Sequence, residues 1–318
     1  MKEITLGIDI GGTNSVFGLV NAKGEVLFHQ TIRTADYRDP RKFVGDIAQT
    51  VRSRIEQDYA EWEFKGIGIG APNGNILQGT VEYPPNLEWE GIIPLSQYFK
   101  EHFDVPVVLT NDANAAAIGE LMFGKAKGIK DFIILTLGTG LGSGFVVNGD
   151  LVYGHDGFAG ELGHTMVRLN EGRQCACGKK GCLETYVSAN GIRRTVFELI
   201  SERLDKSRLR EVSFTDITSE HIYKAALEGD MIAREAFEIT GKILGAKLSD
   251  TVAQLSPQAI FFYGGLARAG DLILKPTKYY MEQYLMSTFK NKVDLFLSAL
   301  NEKDGALLGA AALVWKES

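Results

Sequence analysis

Three short stretches of this 318-residue chain hold residue types that could do chemistry together. The first, Asp9-Ile10-Gly11-Gly12-Thr13-Asn14, follows an apolar run. Its two glycines let backbone N–H groups converge on an anion, and Thr13 adds a hydroxyl donor. Asp9, ending that run, suits a metal, a water network or a capping partner. Alone, the stretch reads equally well as a plain hairpin turn. A second glycine turn, Gly138-Thr139-Gly140, points to two phosphate-binding hairpins, the parts of an ATP clamp.

The second stretch, Thr110-Asn111-Asp112-Ala113-Asn114, comes directly after an apolar strand and opens a helix. Asp112 reads either as the helix cap, the commoner use of Asp at such a place, or as a general base. Ligands of α/β sheets bind at strand ends, and Asn111 could there hydrogen-bond a polar substrate. The third is Gly160-Glu161-Leu162-Gly163-His164, followed by Cys175-x-Cys177-x4-Cys182-Leu183-Glu184. Three cysteines and one histidine match the ligand count of a closed tetrahedral Zn²⁺ site. The Cys-x-Cys spacer is tighter than usual, but Gly178 and Gly181 supply turns that would aim the sulfurs inward.

These residues need elements to position them. Ile4–Ile10, Ser15–Val20 and Glu25–Ile32 read as strands joined by short turns, hence antiparallel neighbours. A helix is expected over Pro40–Asp58, strands at Gly66–Gly70 and Val105–Leu109, and a helix over Asp112–Phe123 starting on a capping carboxylate. Phe132–Leu137, the glycine turn, Ser143–Val147, Asn148-Gly149 and Leu151–Tyr153 then repeat the opening order, which predicts two related α/β domains by internal duplication. Ala236, Ile239, Ile243 and Ala246 keep helical spacing up to Pro257. Ala259–Tyr263 is a buried strand ending in Gly264-Gly265. Gly305–Trp315 suits a helix packed tightly on other backbone, and Ser201–Arg210 a solvated helix face.

Composition excludes several classes. The chain is 45% hydrophobic and 23% charged, as in ordinary globular proteins. Its 34 basic and 40 acidic residues leave a net charge of −6, with no basic stripe for nucleic acid. No apolar run approaches the roughly 18 residues that span a bilayer, and the start enters a strand pattern without a signal-peptide core. A cytoplasmic protein with no membrane or nucleic-acid partner is expected. Gly119-x4-Gly124-Lys125 nearly matches a Walker A loop, but Ala126 stands where Ser or Thr should hold Mg²⁺ and a helix precedes it. No dinucleotide fingerprint follows the first strand.

Together the three stretches resemble the ROK family (repressors, open reading frames and sugar kinases) of the actin-like ATPase superfamily. The resemblance runs from Ile4 to about Trp315, and its most specific part is the CxCGxxGCxE pattern of Cys175–Glu184. It implies two duplicated actin-like (ribonuclease H-like) ATPase domains with an interdomain cleft: a smaller one of residues 1–112 completed by about 303–318, and a larger one of 113–302 carrying the zinc loop. It implies an ATP-dependent hexose kinase, glucokinase-like, in which Asp112 takes the proton from the attacking sugar hydroxyl. Gly74, Asn86, Asn111, Glu161, His164 and Glu184 would line the sugar pocket. Gly11, Gly12, Thr13, Asn14, Gly138, Thr139 and Gly140 would lie on the phosphates, Asp9 would act through Mg²⁺, and Gly264-Gly265 would approach the adenosine. His164, Cys175, Cys177 and Cys182 would hold a structural Zn²⁺.

Asn14 stands where many members carry Lys, and Leu87-Glu88-Trp89 replaces the Leu-Pro-Gly-Trp common in family glucokinases. The substrates implied are ATP and glucose, with N-acetylhexosamines, mannose and fructose as alternatives. A homodimer is common in the family resembled. A sugar-responsive repressor would need a helix-turn-helix ahead of Ile4, for which the reading finds no room. Because the glycine hairpins lie elsewhere in the chain, loss of zinc is expected to weaken sugar binding more than ATP binding.

Overall fold

The computed structural model describes residues 2–169, 171–301 and 304–317. In chain order, β1 (Glu3–Ile10), β2 (Ser15–Asn21) and β3 (Val26–Ile32) precede α1 (Pro40–Asp58) and β4 (Glu63–Gly70). Short strands β5 (Gly74–Asn75), β6 (Thr80–Glu82) and β7 (Ile92–Ile93) lead to α2 (Leu95–Lys100), β8 (Val107–Thr110) and α3 (Asp112–Phe123). Then come β9 (Phe132–Leu137), β10 (Leu141–Val147), β11 (Asp150–Leu151), α4 (Ala189–Glu202), α5 (Ser219–Leu227) and α6 (Met231–Leu255). The chain closes with β12 (Ala259–Tyr263), α7 (Asp271–Tyr284), β13 (Asp294–Leu297) and α8 (Gly305–Glu317).

The two main sheets have one topology. The first runs β3-β2-β1-β4-β8 and the second β11-β10-β9-β12-β13. In each, the first strand pairs antiparallel with its hairpin partner and parallel with the strand that arrives after a helix, to which the last strand adds in parallel. The duplication expected from the glycine hairpins therefore extends to all five strands. Asn148 and Gly149 have φ of 54° and 88°, the positive pair that a tight primed hairpin requires.

The chain divides into two compact units, residues 1–128, 151–160 and 299–318, and residues 129–150 and 161–298. The boundary expected after Asp112 is corrected. In the first unit α3 lies along α8, where a Cβ at Gly119 would come 2.8 Å from Gly309 Cα, so 113–128 stay with the first unit. Residues 299–301 join it as well; of the segment expected from about 303, residues 303 and 318 lie outside those described. Segment 151–160 belongs to the first unit because buried Asn75 donates its amide to the Asp156 carbonyl, 3.0 Å away.

Within the first unit, small residues let α8 lie against the sheet. A Cβ at Gly7 would reach 3.0 Å from Ala311 N, and one at Gly68 would overlap the Ala310 carbonyl. On the sheet's own apolar residues, Ile4, Leu6, Ile8, Ile67 and Ile69 pack with Phe43, Val44, Ile47 and Val51 of α1. Asp39 caps α1 by accepting the Arg41 N–H at 2.8 Å, with Pro40 in the first turn, where it has no hydrogen bond to lose. The second unit has its own core, Ile133, Leu135, Ile260 and Phe262 against Phe237, Leu244 and Leu248 of α6. The solvated helix expected over Ser201–Arg210 does not form. α4 ends at Glu202, Arg203 pairs with Glu235, and Ser207 caps a short 3-10 turn over Arg208–Glu211.

Candidate active site

In the first unit, register collects the acidic residues. Asp9 pairs with Gly70 across β1 and β4, and Gly70 with Thr110 across β4 and β8. The three positions therefore stand side by side at the C-terminal ends of parallel strands, where α/β sheets present ligand groups. Gly70 leaves the gap open: a Cβ there would lie 3.6 Å from Asp112 Cα and 3.9 Å from Asp9 Oδ1.

The choice at Thr110–Asn114 resolves in favour of a different cap. Asn111 caps α3, its Oδ1 accepting the Asn114 N–H at 2.7 Å. Asp112 is already the first helical residue, and its carboxylate takes the Ala113 N–H at 2.9 Å. The capping carboxylate expected at Asp112 is thus corrected; two cap-capable residues stood in succession and the first took the role. Asp112 is reached by solvent. Protein nonetheless crowds its carboxylate at longer range, and the displaced bulk water pushes its pKa above the ordinary value, against the pull of the Ala113 N–H. Burial first, and the Asp112 carboxylate second, push Asp9 up to about 7.

The glycine turn after β1 closes with Gly11 N–H on the Asn14 carbonyl at 3.1 Å. Gly12 is glycine for a local reason: a Cβ would come 2.5 Å from the Asn86 carbonyl oxygen. That approach brings the Asn86 loop onto the turn that carries Thr13. Gly74 sits against the end of β8, where a Cβ would overlap the Thr110 carbonyl. The first unit therefore gathers Asp9, Gly11–Asn14, Gly74, Asn86, Asn111 and Asp112 at one end of its sheet. The near-match to a Walker A loop is part of α3 and the turn after it, Glu120 accepting the Lys125 N–H, so it is no phosphate loop.

In the second unit the Gly138–Gly140 turn joins β9 to β10, and Gly264, with φ of 98°, lies against it, a Cβ there falling 2.9 Å from the Leu137 carbonyl. Glu161 precedes a 3-10 turn over Leu162–His164 that rests on β10, the Leu162 N–H donating to Ser143 Oγ at 3.1 Å. Glu184 reaches the glycine turn from the other side, accepting the Leu141 N–H at 3.0 Å.

The cysteine cluster is assembled as its spacing predicts. One ligand atom each from His164, Cys175, Cys177 and Cys182 falls within 4.8 Å of all the others. Cys177 and Cys182 Sγ lie 3.6 Å apart, and His164 Nδ1 faces Cys175 Sγ at 3.7 Å. A tetrahedron with Zn–S near 2.3 Å has edges of about 3.8 Å, so the donor set fits zinc. Burial pushes the Cys175 thiol up to about 12. At Cys177 burial acts in the same direction, but the Lys179 N–H and the neighbouring thiols bring the net below the ordinary value.

The sequence reading missed Arg173. Its guanidinium donates to the Thr185 and Gly191 carbonyls at 2.7 and 3.0 Å and lies over the Tyr186 ring, so one largely buried cation ties the start of the cysteine loop to its end. An arginine two residues before the first cysteine offered no sequence sign of that reach.

The ROK family model matches residues 5–317. The chain belongs to the ROK family. Among its relatives, the glucokinase of Streptomyces coelicolor is 34% identical over 98% of this chain and 97% of its own. A solved ROK glucokinase from Streptomyces griseus, in complex with glucose and AMPPNP, superposes with a TM-score of 0.78 at 30% identity, covering 98% of this chain and 99% of that one. The α/β fold with two mixed sheets is that of the ROK structures. The xylose repressor of Caldicellulosiruptor bescii is also similar, 29% identical over 97% of this chain and 77% of the repressor. No helix among the described residues is long and apolar enough to cross a membrane.

Proposed function

We propose that this ROK protein is an ATP-dependent sugar kinase whose preferred acceptor is a hexose, glucose before the N-acetylhexosamines, mannose or fructose. The observation that carries it is Asp112, released from capping by Asn111 and held near Asp9 at the strand ends. The similarity to glucokinases supports the acceptor. Asp112 accepts the proton of the attacking sugar hydroxyl, and its raised pKa makes it a stronger base than an ordinary aspartate. The family resemblance assigns Gly74, Asn86, Asn111, Glu161, His164 and Glu184 to the other hydroxyls.

Backbone N–H groups of Gly11–Thr13 and Gly138–Gly140 lie on the phosphates, and Gly264-Gly265 approaches the adenosine. Phosphoryl transfer relies on positioning and charge neutralisation more than on covalent help, which such turns supply. Asp9 would hold Mg²⁺ with the nucleotide, whose charge neutralises phosphate. His164, Cys175, Cys177 and Cys182 would hold Zn²⁺, four protein ligands leaving no open position, so its role is structural. With Nδ1 on the sulfur side, His164 keeps Nε2 for a sugar hydroxyl.

A coupled kinase assay across hexoses and N-acetylhexosamines tests the reading. Turnover with glucose at the highest kcat/KM is expected, and no ATP-dependent phosphorylation of any sugar in the panel would refute it. The repressor relative raises a DNA-binding reading; the net charge of −6 disfavours it.

A further inference from the structure

Glu184 makes a contact that sugar binding does not require. One carboxylate oxygen accepts the Leu141 N–H at 3.0 Å, at the point where the Gly138–Gly140 turn enters β10. The other lies 3.7 Å from Cys175 Sγ, inside the cysteine cluster. Gly140 is shaped to this arrangement, since a Cβ there would overlap the Glu184 carboxylate. The same segment grips the turn a second time, the Ala189 N–H donating to the Gly138 carbonyl at 2.9 Å. Ser188 Oγ closes the link by donating to the Glu184 carbonyl at 2.8 Å. Glu184 is itself held, because Arg173 donates to the carbonyl of the next residue, Thr185.

We propose that Glu184 is a positioning residue for the Gly138–Gly140 turn, through which the cysteine loop supports the nucleotide side of the site. A backbone turn binds phosphate only if its N–H groups are aimed in advance. Here a charge-assisted hydrogen bond at the end of the turn, together with a glycine that admits the carboxylate, fixes that aim. The inference rests on the reading that this turn holds phosphate, and it adds a duty for Glu184 that is exercised with no sugar bound.

The test is ADP binding in the absence of sugar, with amide hydrogen exchange over residues 138–142 as a readout independent of nucleotide. Glu184→Ala removes the acceptor, Glu184→Gln keeps an oxygen that can take the Leu141 N–H, and Gly140→Ala displaces the carboxylate from a different position. Glu184→Ala and Gly140→Ala should each weaken ADP binding about tenfold and speed exchange at Leu141, as loss of a hydrogen bond to a charged group does. Glu184→Gln, which keeps the acceptor but loses its charge, should weaken ADP binding less than Glu184→Ala does. A role confined to sugar would leave sugar-free ADP binding unmoved in both Glu184 variants, whatever Gly140→Ala does to the turn itself. Unchanged Leu141 exchange and ADP affinity in Glu184→Ala would overturn the inference, and so would equal weakening by Gln and Ala. A wild type that binds no ADP would instead strike the phosphate reading, and Leu141 exchange in Glu184→Ala would still decide whether Glu184 sets the turn.

Discussion

Replacing Asp9 with Asn should stabilise the protein at neutral pH, by an amount that grows with pH. Burial and the nearby Asp112 raise the Asp9 pKa from 3.8 to about 7. The folded state therefore holds this proton more tightly than the unfolded chain. The stability contributed is fully present below pH 3.8 and is lost as pH rises to about 7. At 1.36 kcal/mol per unit, the loss approaches about 4 kcal/mol at pH 8 and is already about 1.7 kcal/mol at pH 5. These are upper values, because water penetration and relaxation soften a buried charge.

Asn cannot ionise, so Asp9→Asn escapes the loss. Its advantage should be larger at pH 8 than at pH 5 by about 2–3 kcal/mol at most, or roughly 5–10 °C in Tm for a unit of this size. Thermal melts of both proteins at the two pH values, in EDTA so that no divalent cation neutralises Asp9, measure it. A Tm difference independent of pH, or an Asp9→Asn protein that melts lower at pH 8, would refute the reasoning.

Other outcomes follow from the same structure. Elemental analysis should find one zinc per wild-type chain, and Cys177→Ser should lose it and weaken ADP as well as sugar, since Glu184 joins the cysteine loop to the glycine turn; a metal-free wild type with full activity would contradict this. The acid limb of kcat/KM should lie above the ordinary aspartate value, because Asp112 must be ionised to act and burial raises its pKa; a limb at the ordinary aspartate value would remove that argument. Gly68→Ala should cost on the order of 1–3 kcal/mol in a denaturant titration, because its Cβ would overlap the Ala310 carbonyl where β4 meets α8.

Much of this was legible in the chain because local chemistry and global fold agree. The bounds of α1, α3, β9 and β12 match the periodicity, and Pro40 and Pro257 mark one start and one stop. The two glycine hairpins announced a duplication that the five-strand topology carries through. The cysteine spacing placed four ligand atoms together. What escaped was set by distant partners. Nothing near residue 156 shows that Asn75, 81 positions away, binds its carbonyl and draws 151–160 into the first unit. Arg203 leaves the expected helix for Glu235, 32 positions on. Distance along the chain also suggested that the zinc loop and the second glycine turn were independent, whereas the Glu184–Leu141 hydrogen bond joins them.

The central claim is that Asp112 is the base of a sugar kinase, and Asp112→Asn tests it most directly. The amide keeps the side chain's size and an oxygen for the Ala113 N–H but cannot take a proton. Measuring kcat by coupled assay and glucose Kd by calorimetry separates the two roles. The account predicts a kcat lower by at least ~10²-fold with glucose Kd changed by no more than a few-fold. A variant that retains more than about a tenth of wild-type kcat would contradict it.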